Sequence, residues 1–213
     1  STKIFNIKSK EEFEKYSIEI FQYQFQNNNI YREFCKFTGK NIDKIKSSIE
    51  IPFLPIQFYK THKIVTSNKK IKKIFYSSGT TKSNLSKHHI IDLELYEDCF
   101  SRIFIENYGE PTNYNIIALL PTYLENKNSS LIYMVNNLIE KSKNVHSGFY
   151  LNNYKELRDK LLYLEAKKRK TILFGVSYAL LNLIDLHKFN LKNTIIIETG
   201  GMKGLKEELI KKD

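Results

Sequence analysis

Four hydroxyl side chains surround one glycine in the segment Ser77–Thr81, whose sequence is Ser-Ser-Gly-Thr-Thr. The segment follows an apolar, strand-like run ending at Tyr76 and precedes a helical pattern that begins near Asp92. Hydroxyl and backbone N–H groups in such a turn can converge on one anion, because glycine has no Cβ to crowd it. The G-x-x-x-x-G-K-[ST] phosphate loop is absent. The segment predicts a site for a nucleotide phosphate tail, with an ordinary polar turn as the alternative.

Alternating apolar runs and amphipathic segments indicate the elements that position this turn. Apolar runs predict strands at His62–Thr66, Lys72–Tyr76, Tyr114–Leu119, Thr171–Phe174 and Thr194–Glu198. Helical periodicity predicts helices at Glu11–Phe25, Tyr31–Phe37, Asp92–Tyr108, Ser129–Lys141, Tyr154–Lys168, Tyr178–Lys188 and Gly204–Lys212. The order favours an α/β fold in which a helical N-terminal segment precedes a layered, mainly parallel sheet with flanking helices.

This pattern predicts two domains, a helical segment at residues 1–60 and an α/β core at residues 61–213. Ligands in such sheets bind beyond the carboxyl ends of the strands. Two glycine-bearing loops, Ser77–Thr81 and Thr199–Gly201, directly follow predicted strands. We therefore expect both loops at one edge of the sheet.

Composition excludes several classes of protein. Fourteen Tyr and fourteen Phe within 41% hydrophobic residues indicate a globular chain rather than a disordered tail. No apolar run approaches the roughly 18 residues that a membrane helix needs. The two cysteines, Cys35 and Cys99, form no disulfide framework or metal pattern, which fits a cytoplasmic protein with buried thiols.

The net charge of +11 raises the question of a polyanionic partner. Lysines and arginines cluster at segments 69–73, 167–170 and 211–212. Nucleic acid is one interpretation, but each cluster lies at an element boundary and none alternates with aromatic residues in a stacking motif. A solvated surface that attracts small polyanions is the preferred interpretation, without nucleic-acid binding.

The segment Gly175-Val176-Ser177-Tyr178-Ala179 approximates a nucleophile elbow between a strand and a helix. An acyl-transfer serine would need a histidine and a carboxylate from other loops. The nearest such residues, Asp185 and His187, lie on the next helix, too close in sequence to return to the serine. This arrangement argues against a serine hydrolase.

Four stretches together resemble the acyl-protein synthetase family, the ATP-dependent component of the fatty-acid reductase system of luminous bacteria (LuxE-like). They are the Ser/Gly/Thr segment, Ile-Pro-Phe-Leu-Pro-Ile at 51–56, Leu-Leu-Pro-Thr-Tyr-Leu-Glu at 119–125 with Ser-Ser-Leu-Ile-Tyr-Met at 129–134, and Glu-Thr-Gly-Gly-Met-Lys-Gly at 198–204. The similarity extends from about Phe21 to Asp213. Its most specific motifs are Pro-Thr-Tyr-Leu-Glu at 121–125 and Gly-Gly-Met-Lys-Gly at 200–204.

The resemblance implies a set of binding residues. Phosphate oxygens would be held by Ser77, Ser78, Gly79, Thr80 and Thr81, with Lys82 as a charge partner where the family usually has glycine. Adenine would pack on Gly200 and Gly201, with Lys203 near nucleotide or acyl carboxylate. The acyl pocket would include Tyr123 and Leu124, and the wall near the nucleotide Ser177 and Tyr178. The alternatives are a plain strand-to-helix turn, a solvated lysine and ordinary core packing.

The implied activity is the activation of a long-chain fatty acid with Mg²⁺ and ATP, followed by transfer of the acyl group to a cysteine and on to a reductase. The family places its magnesium motif, ribose-binding aspartate, lid lysine and acyl-carrying cysteine beyond Asp213, and its arginine is replaced here by Leu205. We therefore expect this chain to be an incomplete part of such an enzyme. The alternative is a nucleotide-binding or docking module for a partner reductase or acyl carrier protein.

Overall fold

The computed structural model describes residues 2–77, 85–121, 126–151 and 153–200, which contain seven α-helices and six strands. The helices are α1 (Lys10–Asn27), α2 (Asn29–Phe37), α3 (Phe58–Thr61), α4 (Leu93–Tyr108), α5 (Ser130–Ser142), α6 (Tyr154–Ala166) and α7 (Ser177–Leu186). The strands are β1 (Lys73–Tyr76), β2 (Lys87–Ile90), β3 (Asn115–Leu119), β4 (Gly148–Phe149), β5 (Thr171–Val176) and β6 (Thr194–Thr199). Short 3₁₀ turns lie at Thr2–Asn6, Ile42–Lys44, Ser48–Glu50 and Pro111–Asn113.

The chain divides into two compact units, Ser1–Tyr96 and Glu97–Asp213. The second unit holds a parallel sheet in the order β4-β3-β5-β6, with helices α5, α6 and α7 as the connections between successive strands. The first unit holds α1 to α3 and an antiparallel pair of β1 and β2. The predicted α/β class with a mainly parallel sheet is confirmed, whereas the proposed domain boundary after residue 60 stays a prediction.

The two central strands explain the core of the second unit. Every residue of β3 and β5 is buried. Parallel strands that are covered on both faces have nearly continuous apolar sequences, as these two strands do. Side chains of α6 complete this core with Leu157, Leu161 and Leu164, which recur at helical spacing and are fully buried.

Asparagine divides the predicted helical region of the first unit. Asn28 donates its backbone N–H to Gln24 at the end of α1, and its side chain accepts the Tyr31 N–H at 3.1 Å at the start of α2. One buried residue therefore caps two helices. Gly39 follows α2 with φ +68°, a left-handed conformation that is common for glycine after a helix.

Two strand predictions are corrected. Residues 63–65 of the predicted strand His62–Thr66 adopt no regular structure, and the Thr66 hydroxyl instead contacts Gln24 and Asn28. Strand β1 pairs with β2 and is not part of the parallel sheet. The loops Ser77–Thr81 and Thr199–Gly201 therefore follow strands of two different sheets, so the expectation of one shared sheet edge is wrong.

Glu165, close to the end of α6, fixes the segment that leads into β6. Its carboxylate accepts the backbone N–H groups of Asn193 and Lys192, each at 3.0 Å, and the Asn193 side-chain amide at 2.7 Å. The backbone hydrogen bond from Asn193 is the main reason why the pKa of Glu165 lies below its ordinary value.

We expect the substitution Glu165→Gln to destabilise the chain near neutral pH and to have a diminishing effect in acid. A carboxylate with a lowered folded-state pKa stabilises the fold above its ordinary pKa, and this contribution is lost as the pH falls through the folded-state pKa. Urea unfolding from about pH 7 to about pH 3 measures the difference between variant and natural chain. Glu110→Gln, at an exposed position, controls for the loss of one charge. A difference that stayed constant across this range would contradict the prediction.

Candidate functional site

Three parallel strands end side by side in the second unit. Backbone register pairs Leu119 of β3 with Gly175 of β5, and Gly175 with Glu198 of β6. Ser177 and Gly200 come just after the ends of β5 and β6, so both lie at the carboxyl edge of the sheet. That edge is where open α/β sheets bind their ligands.

Hydrogen bonds join the residues at this edge. The Ser177 hydroxyl lies 2.5 Å from Glu198 Oε1 and 2.9 Å from the carbonyl oxygen of Gly200, and it donates its single proton to these two acceptors. Ser177 is buried, whereas Glu198 and Gly200 are exposed. The serine therefore ties the first residue of α7 to the turn that follows β6, with a carboxylate at the solvent side.

Two glycines shape the same edge. Gly200 has φ +81°, a left-handed conformation that favours glycine. Gly175, in buried β5, lies against α7: a Cβ built on it would come within 2.6 Å of Leu180 Cγ. A Cβ at position 175 would therefore force the Leu180 side chain or α7 to move, so glycine permits this close packing of strand against helix two residues before Ser177.

The structure thus brings together some of the predicted site residues. Ser177, predicted as a wall of the nucleotide site, touches the Gly200 turn predicted to pack on adenine. Tyr178 is half-buried and packs against the core of the second unit. Outside the described residues lie the predicted site residues Ser78, Gly79, Thr80, Thr81, Lys82, Tyr123, Leu124, Gly201 and Lys203.

Ser77 closes the antiparallel pair β1 and β2 in the first unit. Its backbone N–H donates to the Ser86 carbonyl at 3.0 Å, and its hydroxyl oxygen accepts the Ser86 N–H at 3.1 Å. The amide of Ser77 is therefore engaged within the protein. Residues 78–84 lie between Ser77 and Leu85 in the sequence. Phosphate binding by this segment stays a prediction.

Histidines of β2 lie beside aromatic rings of the first unit. The His88 ring is 6.1 Å from the Tyr59 ring and 6.5 Å from the Tyr96 ring, both in edge-on geometry. His89 Nδ1 is buried and has no hydrogen-bond partner among the described residues. The pKa of His89 lies below its ordinary value, mainly because the ring is partly removed from solvent. The positive charges of Lys63 and Lys87 lower it further.

An apolar groove of about 730 Å³ opens in the first unit. One wall is a face of α1 that includes Phe13 and Ile20, and the other is the segment containing Ile49 and Phe53. Tyr59 lies at the groove as well, so the groove adjoins the histidines of β2 through the Tyr59–His88 ring contact. The size falls in the range of small-molecule sites, about 300–1,000 Å³.

Sequence reasoning missed the groove and the role of Glu198. A signal for Glu198 exists in the sequence: it is a charged residue near the end of the apolar strand β6, and pairing with β5 brings it close to Ser177, which follows β5. No comparable signal marks the groove, because its walls come from α1 and from a proline-bearing segment whose contact depends on tertiary packing.

No protein-family profile matches the chain, and no curated protein matches it with statistical significance. The resemblance to acyl-protein synthetases therefore rests on the sequence motifs alone. In the described ranges, no helix combines the length and apolarity that crossing a bilayer requires. Nor does this part of the chain gather three or more His, Cys, Asp or Glu side chains suited to a metal ion.

Proposed function

We propose that this chain is part of an enzyme that activates a long-chain fatty acid with ATP for transfer to a protein thiol. The observation that supports the proposal is the contact between Ser177 and the Gly200 turn at the carboxyl edge of a parallel sheet. Two segments that the resemblance assigns to one nucleotide site are separated by more than twenty residues and are nevertheless in direct contact.

The proposed reaction has two steps. A fatty-acid carboxylate oxygen attacks the α-phosphorus of ATP, so that a carboxylate–phosphorus bond forms and pyrophosphate leaves. A thiolate then attacks the acyl carbon of the acyl-adenylate, giving a thioester and AMP. Mg²⁺ would arrive with the ATP phosphates and neutralise their charge, since Mg²⁺ commonly binds through substrate phosphates with few protein ligands.

Within this proposal the residues of the chain bind and orient. Gly200 would offer exposed backbone to the flat face of adenine. Ser177 would hold that turn in place, because its hydroxyl donates to the carbonyl oxygen of Gly200. The excess of positive charge would attract ATP and an acidic acyl carrier or reductase partner. A cytoplasmic location belongs to the same proposal, with Cys35 and Cys99 as free thiols.

The test is release of pyrophosphate from Mg²⁺ and ATP that depends on added tetradecanoate. We expect binding of ATP by calorimetry to the 213-residue chain and fatty-acid-dependent release from the chain or from a longer form of the protein. A longer form that releases no pyrophosphate with any fatty acid would refute the activity.

A second candidate is a nucleotide-binding or docking module without turnover. The engagement of the Ser177 hydroxyl and the Ser77 amide within the protein favours it, because these groups then serve structure rather than chemistry. Saturable ATP binding without pyrophosphate release would support this candidate over the enzyme.

A further inference from the structure

We propose that the apolar groove of the first unit binds a single-chain amphiphile, with its alkyl chain in the groove and its anionic head beside the lysines and histidines next to Tyr59 and Ile64. The site lies apart from the sheet edge of the second unit in the sequence and needs no nucleotide. A long-chain fatty acid is one such amphiphile, but the inference concerns a separate groove and does not depend on acyl activation.

The groove favours an apolar body because several of its polar groups already have partners within the unit. The Tyr31 hydroxyl donates to the Pro52 carbonyl at 2.6 Å, and the Ser48 hydroxyl donates to Glu14 Oε1 at 2.7 Å. Asn28 uses its carbonyl oxygen and its amide nitrogen within the unit. A ligand in the groove finds chiefly hydrocarbon surface, which favours an alkyl chain over a sugar, peptide or nucleotide.

The groove also leaves large apolar side chains unusually open to solvent. Ile49 is 86% exposed and Phe53 is 77% exposed, although both face the groove. Covering such surface with an alkyl chain is favourable by roughly 25 cal/mol for each Å² of apolar area removed from water. Two other lining residues, Phe21 and Ile64, are buried, so the groove combines buried and exposed apolar surface.

Positive charge beside two lining residues, Tyr59 and Ile64, favours an anionic head group. Lys63 directly precedes the groove residue Ile64, and the charges of Lys63 and Lys87 both reach His89. None of Lys60, Lys63 and Lys87 has an ion-pair partner among the described residues. Lysines beside an apolar groove, without an ion pair in the described part of the chain, complement a molecule that is hydrocarbon along its length and anionic at one end.

Calorimetry with tetradecyl sulfate below its micelle concentration tests the site. This probe has no carboxylate, so its binding does not depend on acyl activation. We expect saturable binding of one molecule, weaker binding of tetradecan-1-ol, and the weakest binding of tetradecyltrimethylammonium. Equal affinity for the anionic and cationic probes, or no binding of the sulfate, would overturn the proposal.

Matched variants locate the site. Ile49→Glu and Phe53→Glu are expected to weaken binding of the sulfate at least about tenfold, because each places a carboxylate against the alkyl chain. Ile56→Glu and Phe37→Glu make the same exchanges at positions that are 74% and 88% exposed and do not line the groove. We expect these two controls to bind as the natural chain does. All four positions are exposed enough to keep the fold, which far-UV circular dichroism verifies.

The head group is tested by charge reversal. Lys63→Glu is expected to weaken binding of tetradecyl sulfate about tenfold and to leave binding of the uncharged alcohol unchanged. Lys155→Glu, at an exposed position on α6, controls for net charge. Equal loss for both probes in Lys63→Glu would overturn the head-group assignment.

Binding of the chain to phosphatidylglycerol vesicles, with no binding of monomeric probe, would identify a membrane surface instead and would also overturn the proposal. Loss of pyrophosphate release with intact probe binding would count against the proposed function alone.

Discussion

Gly175→Ala is expected to destabilise the second unit by about 1–3 kcal/mol, as overpacking of a buried site does. The added Cβ would lie 2.6 Å from Leu180 Cδ2 and Leu180 Cγ, so α7 or the side chain of Leu180 has to move. Every residue of β5 is buried and β5 pairs with strands on both sides, which leaves the strand little freedom to shift. Urea unfolding of natural and variant chains measures the loss.

Two further variants make this prediction specific. Gly148→Ala changes another glycine of the same sheet, where the nearest atom to the added Cβ is Tyr150 Cε2 at 3.8 Å. We expect an effect within about 0.5 kcal/mol there. The double variant Gly175→Ala with Leu180→Ala should be more stable than the sum of the single effects predicts, because the second change removes the clash. Equal destabilisation at both glycines, or strict additivity in the double variant, would show that close packing against Leu180 is not the cause.

The central part of the fold was predictable because it depends on patterns that are local in sequence. Strands β3 and β5 appear as apolar runs, and α4 to α7 as amphipathic segments whose observed limits differ by a few residues at most from the predicted ones. Strand β4 was not predictable, since two residues carry no periodic signal. The strand predicted at His62–Thr66 failed because its residues have no neighbouring strand to pair with in the described structure.

The candidate site was predictable only in part, for the same physical reason. The sequence identifies Ser177 and Gly200 individually, each as a residue that follows a strand. Their contact depends on β5 and β6 being neighbours in register, which is a property of the sheet. The groove depends on the packing of α1 against the segment around Phe53. A hydrophobic pattern predicts that an apolar side chain is buried, so it could not predict that Phe53 is exposed.

Gly200→Ala is expected to lower the affinity for Mg²⁺ and ATP at least about tenfold if the proposed nucleotide site is correct. A Cβ at this position would stand on the backbone proposed to face adenine, where a flat ring requires close approach. The left-handed backbone at φ +81° adds a conformational penalty of about 1–2 kcal/mol for alanine. Calorimetry with ATP gives the affinity and urea unfolding gives the penalty.

Gly39→Ala separates these two effects. Gly39 has φ +68°, so alanine meets the same kind of backbone strain, and no atom lies within 4 Å of the added Cβ. Both variants should therefore lose similar stability, whereas only Gly200→Ala should lose affinity for ATP. Unchanged ATP affinity in Gly200→Ala, with the stability loss present in both variants, would mean that the glycine at the end of β6 serves the turn and not a nucleotide. In that case the contact from Ser177 would be a structural tie between α7 and β6, and the docking module would become the better account of the chain.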